Sequence, residues 1–581
     1  MSGSSGMPRL SVVIPSYQRC EILAQTLATI VAQVVPDERF EVVVVIDGST
    51  DGTERMLAER FAGQGLRVIT QANAGPAAAR NAGILAARGE LVLLLDDDLR
   101  CDPGLLAAHL AAHADGVPKA VFGPVFGLTG DSTAAELTRR ALDSYYRQMR
   151  DEWHPDTAPI AYAAPNTSLR RETLIAVGGF DLRFARALED ADLGLRLRAS
   201  GLPFVYLPDA TVHQRFTKSA QDLVDRDAVD HGRNEVLLCR IHPTARAHSF
   251  LRSVGSGGPL RRALRSVLVW SPVAPELLLR PLFAVLDWLP PHLLLDSRIW
   301  LLGLRGYAAQ LRAATATAGG WRALKAEFGM RCPALLYHHI GPAPAGMPAS
   351  LTTAPDRFER QMTRLQRLGF TAITADRWLA WLEHATPLPE RPFVLTFDDG
   401  FADLAQHAFP VLERLGFGAT VFVVTDCIGG TNDWDASPGT TPVRLLDRVA
   451  MEHWRDRGIT FASHSRTHGL MDVLEAPAAS EEAIASRRAL EAVTGRSVRV
   501  FAYPYGAFTP RTVAAVERTY SLAFTCIDGV NTLATPSALQ HRTMVQPADW
   551  QIDVELRARH GWSATNRMRA ILSSFRARLR R

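Results

Sequence analysis

Short apolar runs alternate with alanine-rich stretches over residues 9–245. Three of the runs, residues 11–15, 41–47 and 90–96, are apolar on both faces, which is typical of strands buried in a parallel sheet. The stretches between them have the pattern of helices. This part of the chain is therefore predicted to form βαβ units and a doubly wound α/β sheet.

Strand patterns return in the C-terminal part of the chain. The runs ALLYHHI, FVLTFDD, ATVFVVT and VFAYPYG begin at residues 334, 393, 419 and 500, and helical stretches separate them. This order predicts a second α/β domain over residues 329–560, built as a distorted (β/α) barrel.

Residues 246–328 differ from both of these regions. They are rich in Leu, Arg and Trp, and prolines interrupt them at positions 272, 275, 281, 290 and 291. Since 581 residues exceed what one hydrophobic core usually organises, we interpret this region as a helical linker between two domains.

The two ends of the chain have distinct compositions. Residues 1–8 are rich in Ser and Gly, as in a disordered lead or a tag. Residues 561–581 form a basic amphipathic tail, whose last fifteen residues hold six arginines and no acid. The linker and the tail either pack on the domains, which we favour, or lie on a membrane surface.

Composition excludes several classes of protein. Apolar residues make up 47% and charged residues 21% of the chain, which excludes a largely disordered protein. A net charge of +4 argues against a nucleic-acid partner. The six cysteines are scattered singly, and no segment is long and apolar enough to span a bilayer. We therefore predict a cytoplasmic protein with reduced thiols, which could also contact a membrane peripherally.

Carboxylates follow two of the predicted N-terminal strands. Asp47 ends one strand, and Asp96, Asp97 and Asp98 follow the next. Ligands of open α/β sheets bind where such strands end. A row of acids at such a position is unfavourable for folding unless a cation neutralises their charge. Carboxylate oxygens suit Mg²⁺ or Mn²⁺, and such an ion could be shared with a diphosphate. If the three consecutive aspartates are considered without their context, a solvated acidic loop is the alternative interpretation.

Further motifs follow in a fixed order. NAGPAAARNAG begins at residue 73, GGFD at 178, EDAD at 189 and PDATVH at 208. With VVIPSYQR, IDGSTDGT and LLLDDDLRCDP, they resemble the family 2 glycosyltransferases of the GT-A fold over residues 9–245. The resemblance implies a nucleotide-sugar donor and a carbohydrate, lipid-linked or small-molecule acceptor.

The resemblance also implies a role for individual residues. The nucleotide sugar would be bound by Pro15, Tyr17, Asp47, Arg80, Asp96 and Asp97. Asp96 and Asp98 match the metal-binding DxD pair, and His213 matches a position that can complete the shell of Mg²⁺ or Mn²⁺. The family usually has a second aspartate where Ile46 stands.

Asp190 matches the catalytic base of this family. The implied mechanism is inverting: Asp190 removes the proton of the acceptor hydroxyl as that hydroxyl attacks the anomeric carbon. Asp192 is a weaker candidate for the base. Acids that simply decorate a helix N-terminus are the structural alternative for this motif.

A second constellation lies in the C-terminal domain. Asp398 and Asp399 end an apolar strand, and His464 and His468 follow at a spacing that can place both on one helical turn. Two histidines and a carboxylate form a metal set with open positions. A pair of surface histidines is the alternative for the two histidines alone.

With the later motif AYPYG, these residues resemble the NodB-like polysaccharide deacetylases, carbohydrate esterase family 4, over roughly residues 331–550. The resemblance implies Zn²⁺ or a similar divalent ion on Asp399, His464 and His468. Asp398 would be the catalytic base, and the N–H of Tyr505 would hold the oxyanion.

Two departures from the family pattern stand out. The orienting arginine of the third motif is missing, because that motif reads Ala502-Tyr503-Pro504-Tyr505-Gly506. The general acid is unassigned. His541 lies near the expected stretch, and His338 could instead stand at the mouth of the barrel and contact substrate.

Together these patterns predict a bifunctional enzyme. Its N-terminal domain transfers a sugar, N-acetylglucosamine from UDP-N-acetylglucosamine, and its C-terminal domain removes the acetyl group. Two alternatives stay open: a glycosyltransferase whose deacetylase-like domain only binds carbohydrate, or a membrane-surface component of polysaccharide assembly.

Overall fold

The computed structural model describes residues 7–35, 39–128, 132–152, 165–184, 186–270, 295–435 and 441–562. The chain divides into two compact units. The first comprises Met1–Leu251 and Gly258–Leu324, and the second comprises Arg252–Gly257 and Lys325–Arg581. Residues 1–6, the five linker prolines between positions 272 and 291, and residues 563–581 lie outside the described residues, so the predictions for them are untested.

The strands of the first unit are β1 (Leu10–Ser16), β2 (Phe40–Asp47), β3 (Leu66–Gln71), β4 (Leu91–Leu94), β5 (Leu99–Cys101), β6 (Ala120–Phe122), β7 (Val125–Gly127), β8 (Thr167–Arg170), β9 (Phe204–Tyr206) and β10 (Val212–Gln214). Its helices are α1 (Cys20–Val31), α2 (Thr53–Arg60), α3 (Pro76–Ala86), α4 (Leu105–Ala112), α5 (Thr133–Glu152), α6 (Arg171–Ala176), α7 (Glu189–Ala199), α8 (Ala220–Asp222), α9 (Ala228–Ile241), α10 (Pro259–Trp270), α11 (Leu295–Ala318) and α12 (Trp321–Phe328, which ends in the second unit).

A seven-stranded sheet with the order β3-β2-β1-β4-β8-β6-β9 forms the centre of the first unit. β1 pairs in parallel with both β2 and β4, while β8 runs antiparallel to β4. The Val- and Leu-rich runs of β1, β2 and β4 are buried, as expected for strands covered on both faces. The predicted doubly wound sheet is confirmed. Its parallel strands end together, which brings Asp47 and the acids after β4 to one edge.

A small three-stranded sheet, β5-β10-β7, lies beside the main one in the same unit. α11, which falls within the predicted linker, packs along α9. This crossing is close: a Cβ at Gly232 of α9 would lie 2.1 Å from the carbonyl oxygen of Gln310. The structure therefore places α11 in the first unit, as part of its helical layer.

The strands of the second unit are β11 (Cys332–Tyr337), β12 (His339–Ile340), β13 (Thr352–Thr353), β14 (Thr371–Ile373), β15 (Pro392–Phe397), β16 (Ala419–Val423), β17 (Ile459–Ser463), β18 (Val500–Ala502), β19 (Leu522–Phe524), β20 (Val530–Asn531) and β21 (Thr543–Met544). Its helices are α13 (Pro355–Arg367), α14 (Ala375–His384), α15 (Leu404–His407), α16 (Phe409–Leu415), α17 (Arg448–Arg455), α18 (Ala476–Thr494), α19 (Pro510–Thr519) and α20 (Gln551–His560).

The second unit is built on a nine-stranded sheet. Its order is β19-β18-β17-β16-β15-β11-β20, with β14 beside β15 and β21 beside β11. Apart from the antiparallel pairing of β20 with β11, the strands run parallel. The predicted barrel-like α/β fold is confirmed. Because β15, β17 and β18 end at the same edge, the DD, HxxxH and AYPYG motifs meet there.

All six cysteines are free thiols. Among the helices that the structure describes, none combines the length and apolar character needed to cross a bilayer.

Candidate active sites

Asp47 ends β2 as a buried carboxylate. Its Oδ1 accepts a hydrogen bond from the N–H of Ala74, and its Oδ2 accepts one from the N–H of Gly75, both at 2.9 Å. The side-chain amide of Gln71 donates a third bond at 2.8 Å. Asp47 therefore fixes the loop that leads into α3. Its predicted contact with the nucleoside would be a second role.

The acid row after β4 is held by two arginines. Asp96 Oδ1 accepts a bond from Arg80 at 2.7 Å. Arg19 donates to Asp97 at 2.8 Å and to Asp98 at 3.0 Å. Burial and the neighbouring charge of Asp96 raise the pKa of Asp98 to about 7. The row thus concentrates carboxylate oxygens in a poorly solvated place, where a hard divalent cation would stabilise their ionised form.

His213 does not join this row. Its Nε2 lies 3.2 Å from Asp102. The side chain that reaches Asp98 is that of Gln214, whose amide nitrogen lies 3.2 Å from Oδ1. Adjacent residues of a strand point to opposite faces, so in this structure His213 faces away from the DxD pair. Its predicted role as a metal ligand is untested.

Arg80 connects the acid row to the start of α7. Its guanidinium is buried, donates to Glu189 at 2.8 Å as well as to Asp96, and lies over the ring of Phe180. Burial alone would lower the pKa of Arg80, but the two carboxylates outweigh burial and raise it above its usual range. Arg80 is a fixed positive charge beside the predicted diphosphate position.

Asp190 lies in the first turn of α7, directly after two residues with positive φ, Ala187 and Leu188. Loss of solvent and the charge of Glu189 raise the pKa of Asp190 to about 7. A carboxyl group with this pKa can accept a proton near neutral pH.

Asp192 has a different environment. Its fully buried carboxylate accepts bonds from Arg196 at 2.6 and 2.9 Å, and it lies 2.8 Å from Nε2 of His242. These partners occupy both of its oxygens. Of the two candidates for the base, the structure therefore favours Asp190.

The first unit contains a cleft of about 1050 Å³. The residues that line it include seven of those predicted to bind donor or metal, namely Pro15, Tyr17, Asp47, Arg80, Asp96, Asp97 and Asp98. Residues of α9, α11 and the π-helical turn Leu223–Asp227 also line the cleft. A cleft of this size can hold a nucleoside diphosphate sugar.

The second unit brings Asp399, His464 and His468 together. One ligand atom from each lies within 4.8 Å of the others, and all three side chains are buried. Asp399 Oδ1 is 3.2 Å from His468 Nε2 and 3.6 Å from His464 Nε2. Within the described residues, this is the one histidine, cysteine and carboxylate cluster with such spacing. The donor set fits Zn²⁺ or a similar ion.

His464 is oriented for metal binding by its second ring nitrogen. Nδ1 lies 2.9 Å from the carbonyl oxygen of Ala502 at the end of β18. This contact orients the ring so that Nε2 points toward Asp399. Burial lowers the pKa of His464 to about 4, so its ring is neutral at physiological pH. A neutral imidazole whose other nitrogen donates to a carbonyl is the usual form of a histidine ligand.

The backbone is strained around this cluster. Asp399, Ser465, His468 and Tyr505 all have a positive φ, between 58° and 71°. The rings of Tyr505 and Trp434 lie 4.6 and 4.7 Å from the ring of His468. Strained conformations persist where the surrounding structure fixes them, and they concentrate at functional sites.

No sequence motif identifies the partner of Asp398. Arg542 donates two bonds to this carboxylate, to Oδ1 at 2.5 Å and to Oδ2 at 2.9 Å, and both side chains are buried. Burial by itself would raise the pKa of Asp398, but Arg542 holds it below its usual range. The arginine absent from the third motif is thus supplied by a residue just before β21.

The remaining histidines differ in position. His338 directly follows β11 and is next to Tyr337, whose carbonyl oxygen accepts a hydrogen bond from the N–H of Asp398 at 3.0 Å. His541 instead packs on Gly529, and burial lowers its pKa. His338 therefore lies at the site, whereas the structure places the ring of His541 against another loop.

Comparison with known families also divides the chain into an N-terminal and a C-terminal part. Residues 11–189 match the model of glycosyl transferase family 2, and residues 385–521 match that of the polysaccharide deacetylases. The chain therefore carries a family 2 glycosyltransferase domain and a polysaccharide deacetylase domain.

Individual relatives match one part of the chain each. Validoxylamine A glucosyltransferase of Streptomyces hygroscopicus subsp. jinggangensis (strain 5008) is 33% identical over 226 residues, which cover 34% of this chain and 54% of that enzyme. N-acetylglucosaminyl-diphospho-decaprenol L-rhamnosyltransferase of Mycobacterium tuberculosis (strain ATCC 25618 / H37Rv) is 27% identical over 267 residues, 40% of this chain and 85% of that enzyme. YxkH of Bacillus subtilis (strain 168), named as a polysaccharide deacetylase, is 26% identical over 225 residues, 39% of this chain and 75% of that protein. This chain thus spans about half the length of the first of these relatives.

Proposed function

We propose that the chain is a bifunctional enzyme that transfers N-acetylglucosamine from UDP-N-acetylglucosamine to an acceptor and then removes the acetyl group. The observation that carries the first activity is the convergence of seven predicted donor and metal residues on one cleft. The observation that carries the second is the buried cluster of Asp399, His464 and His468 beside a carboxylate held by Arg542.

In the transfer reaction, Asp190 accepts the proton of the acceptor hydroxyl as the new glycosidic bond forms and the bond to the diphosphate breaks. Arg80 places a positive charge beside the departing phosphates. A divalent cation held by Asp96 and Asp98, such as Mg²⁺ or Mn²⁺, would supply further charge stabilisation. His213 would join that set only after a change in its side-chain direction.

The raised pKa of Asp190 predicts a pH dependence for transfer. Because the base must be ionised to accept a proton, kcat should fall as the pH drops below about 7, approaching tenfold per pH unit. The measurement is kcat at saturating Mn²⁺, so that protonation of Asp98 does not limit metal binding. A rate that stays constant between about pH 5.5 and 8 would contradict the assignment of Asp190.

In the deacetylation reaction, water attacks the acetyl carbonyl, the C–N bond breaks, and acetate and a free amine form. Asp398 takes the proton of the water, and Arg542 keeps this carboxylate ionised and oriented. His338 protonates the leaving amine, and the N–H of Tyr505 holds the oxyanion. A divalent cation on Asp399, His464 and His468 would supply Lewis-acid chemistry.

The metal cluster leads to a direct prediction. The His464→Ala/His468→Ala variant should lose the zinc that wild-type protein retains through dialysis, because two of its three protein ligands are gone. Elemental analysis by mass spectrometry measures this loss. A His541→Ala variant is the matched control and should keep its zinc; equal zinc content in all three proteins would exclude the proposed cluster.

The donor is tested by thermal shift with Mn²⁺ and a panel of nucleotide sugars. A ligand that binds only the folded state raises the unfolding temperature, and at equal concentration the ligand that binds more tightly raises it more. UDP-N-acetylglucosamine should raise it more than UDP-glucose or GDP-mannose, and Asp98→Asn should remove the Mn²⁺-dependent part. A larger shift with another donor would replace the proposed sugar.

The acceptor is proposed as a carbohydrate, lipid-linked or small-molecule hydroxyl compound. The six free cysteines support a reducing compartment, and we propose the cytoplasm. The alternative, a deacetylase-like unit that only binds carbohydrate, rests on the missing arginine of the third motif and on the unassigned general acid. The bidentate pair of Arg542 with Asp398 answers the first point, and His338, which we propose as the general acid, answers the second.

A further inference from the structure

The solvent-facing side of α10 is apolar. Leu260, Leu264 and Val267 are spaced four and three residues apart, which places them on one side of the helix, and they are 83%, 51% and 47% exposed. Elsewhere the helix is buried at Leu268 and packs on α11. Single exposed apolar residues are ordinary on a protein surface, whereas a row of them on one helix marks a surface that contacts an apolar partner.

We propose that the first unit docks on an anionic lipid bilayer through this side of α10, and that its sugar acceptor is a lipid-linked molecule held in that bilayer. The docking requires no catalysis, whereas the choice of acceptor rests on the proposed sugar transfer. The docking face consists of Leu260, Leu264 and Val267 of α10 together with Trp300 of α11.

The charge of α10 suits an anionic partner. The helix contains Arg261, Arg262 and Arg265 and no acidic residue. Asp296, the acid in the first turn of the neighbouring α11, forms an ion pair with Arg140 at 2.6 Å. Because the field of a charge extends about 8 Å at physiological ionic strength, the arginines attract anionic headgroups without direct contact. A helix that combines an apolar side with arginines is typical of one that lies in the interface of a bilayer.

Trp300 places an aromatic ring on the helix that packs against α10. Its side chain is 64% exposed, and tryptophan is enriched at bilayer interfaces because its ring is apolar and its N–H is polar. Gly303, one turn further along α11, lines the transferase cleft. Tyr307 also lines the cleft, and its hydroxyl accepts a bond from Arg265 of α10 at 3.1 Å. A bilayer against the docking face therefore brings a lipid-linked acceptor to the edge of the cleft.

Sedimentation with vesicles tests the docking. The full chain should bind vesicles of phosphatidylglycerol and phosphatidylcholine in equal parts at least about tenfold more strongly than vesicles of phosphatidylcholine alone, because only the former offer anionic headgroups. Leu260→Ser/Leu264→Ser should weaken this binding about tenfold or more, since two apolar side chains would no longer be transferred out of water. Trp300→Ala should weaken it by about threefold.

Matched substitutions in the second unit are the controls. Val449→Ser/Val473→Ser replaces two valines that are 74% and 73% exposed, and Trp550→Ala removes another exposed tryptophan. Both control variants should bind vesicles as wild type does. Because every substituted side chain is exposed, the unfolding temperature of each variant should equal that of wild type. A loss of vesicle binding then reports on the docking face and not on folding.

No binding of the wild-type protein to anionic vesicles would overturn the docking. Unchanged binding of Leu260→Ser/Leu264→Ser would also overturn it, since another segment of the chain would then carry the binding. Light scattering should give the same molecular mass for wild type and this variant. A wild-type dimer that the two substitutions dissociate would show instead that a second copy of the chain covers this face.

The acceptor is tested in the same vesicles. Transfer to a sugar linked to an embedded polyprenyl diphosphate should fall about tenfold in Leu260→Ser/Leu264→Ser, whereas transfer to the same sugar on a short water-soluble alkyl chain should not change. Equal rates of the two proteins with the embedded acceptor would overturn the choice of acceptor. If neither acceptor receives a sugar, the proposed transfer fails, and vesicle binding alone then decides the docking.

Discussion

Replacing Arg542 with methionine should reduce acetate release at least about 100-fold and leave sugar transfer unchanged. The reason is that Asp398 would lose both of its guanidinium bonds, and with them the charge that contributes most to keeping its buried carboxylate ionised. Removing one partner of a buried ion pair costs about 3–5 kcal/mol, so the deacetylase unit should also unfold at lower temperature.

A double variant separates the catalytic from the structural effect. Arg542→Met/Asp398→Asn removes both charges, so its stability should recover relative to Arg542→Met, while its deacetylase activity stays absent. Scanning calorimetry and acetate release measure the two effects. Activity retained in Arg542→Met would show that the pair is only structural.

The second large effect concerns the transferase base. Asp190→Asn should lower kcat for transfer by about 10²–10⁴-fold with little change in stability, because the amide cannot accept the proton. The substituted side chain can still accept the bond that Asp190 now takes from the N–H of Ala191.

Asp192→Asn is the matched control. Since the carboxylate of Asp192 is buried between Arg196 and His242, its loss should destabilise the first unit by roughly 3–5 kcal/mol, and the folded fraction should retain transfer activity. Transfer assays combined with thermal unfolding distinguish the two variants. A stable, inactive Asp192→Asn together with an active Asp190→Asn would reverse the assignment.

Much of both folds could be predicted from the sequence, because apolar runs identify buried strands and parallel strands end at a common edge. The predicted strand ends account for the positions of Asp47 and Asp96 on one cleft, and of Asp399 beside His464. These positions depend on the local sequence of each strand and on the parallel order of the strands, which the sequence pattern predicts.

Other features depend on tertiary contacts and could not be predicted in this way. Arg542 reaches Asp398 across 144 residues, and no motif distinguishes it from the other arginines, of which the chain has 61 in all. The face of β10 depends on its pairing with β5, so the sequence did not reveal that Gln214, and not His213, reaches Asp98. The packing of α11 on α9 likewise required the structure.

We propose that one chain transfers the sugar first and deacetylates the product second. The measurement is acetate release from UDP-N-acetylglucosamine labelled in its acetyl group, with and without lipid-linked, oligosaccharide and small-molecule acceptors. We expect labelled acetate only with an acceptor and after release of UDP, no acetate from Asp190→Asn, and a labelled product that accumulates with Asp398→Asn. Acetate released from the nucleotide sugar at the same rate without any acceptor would contradict this order.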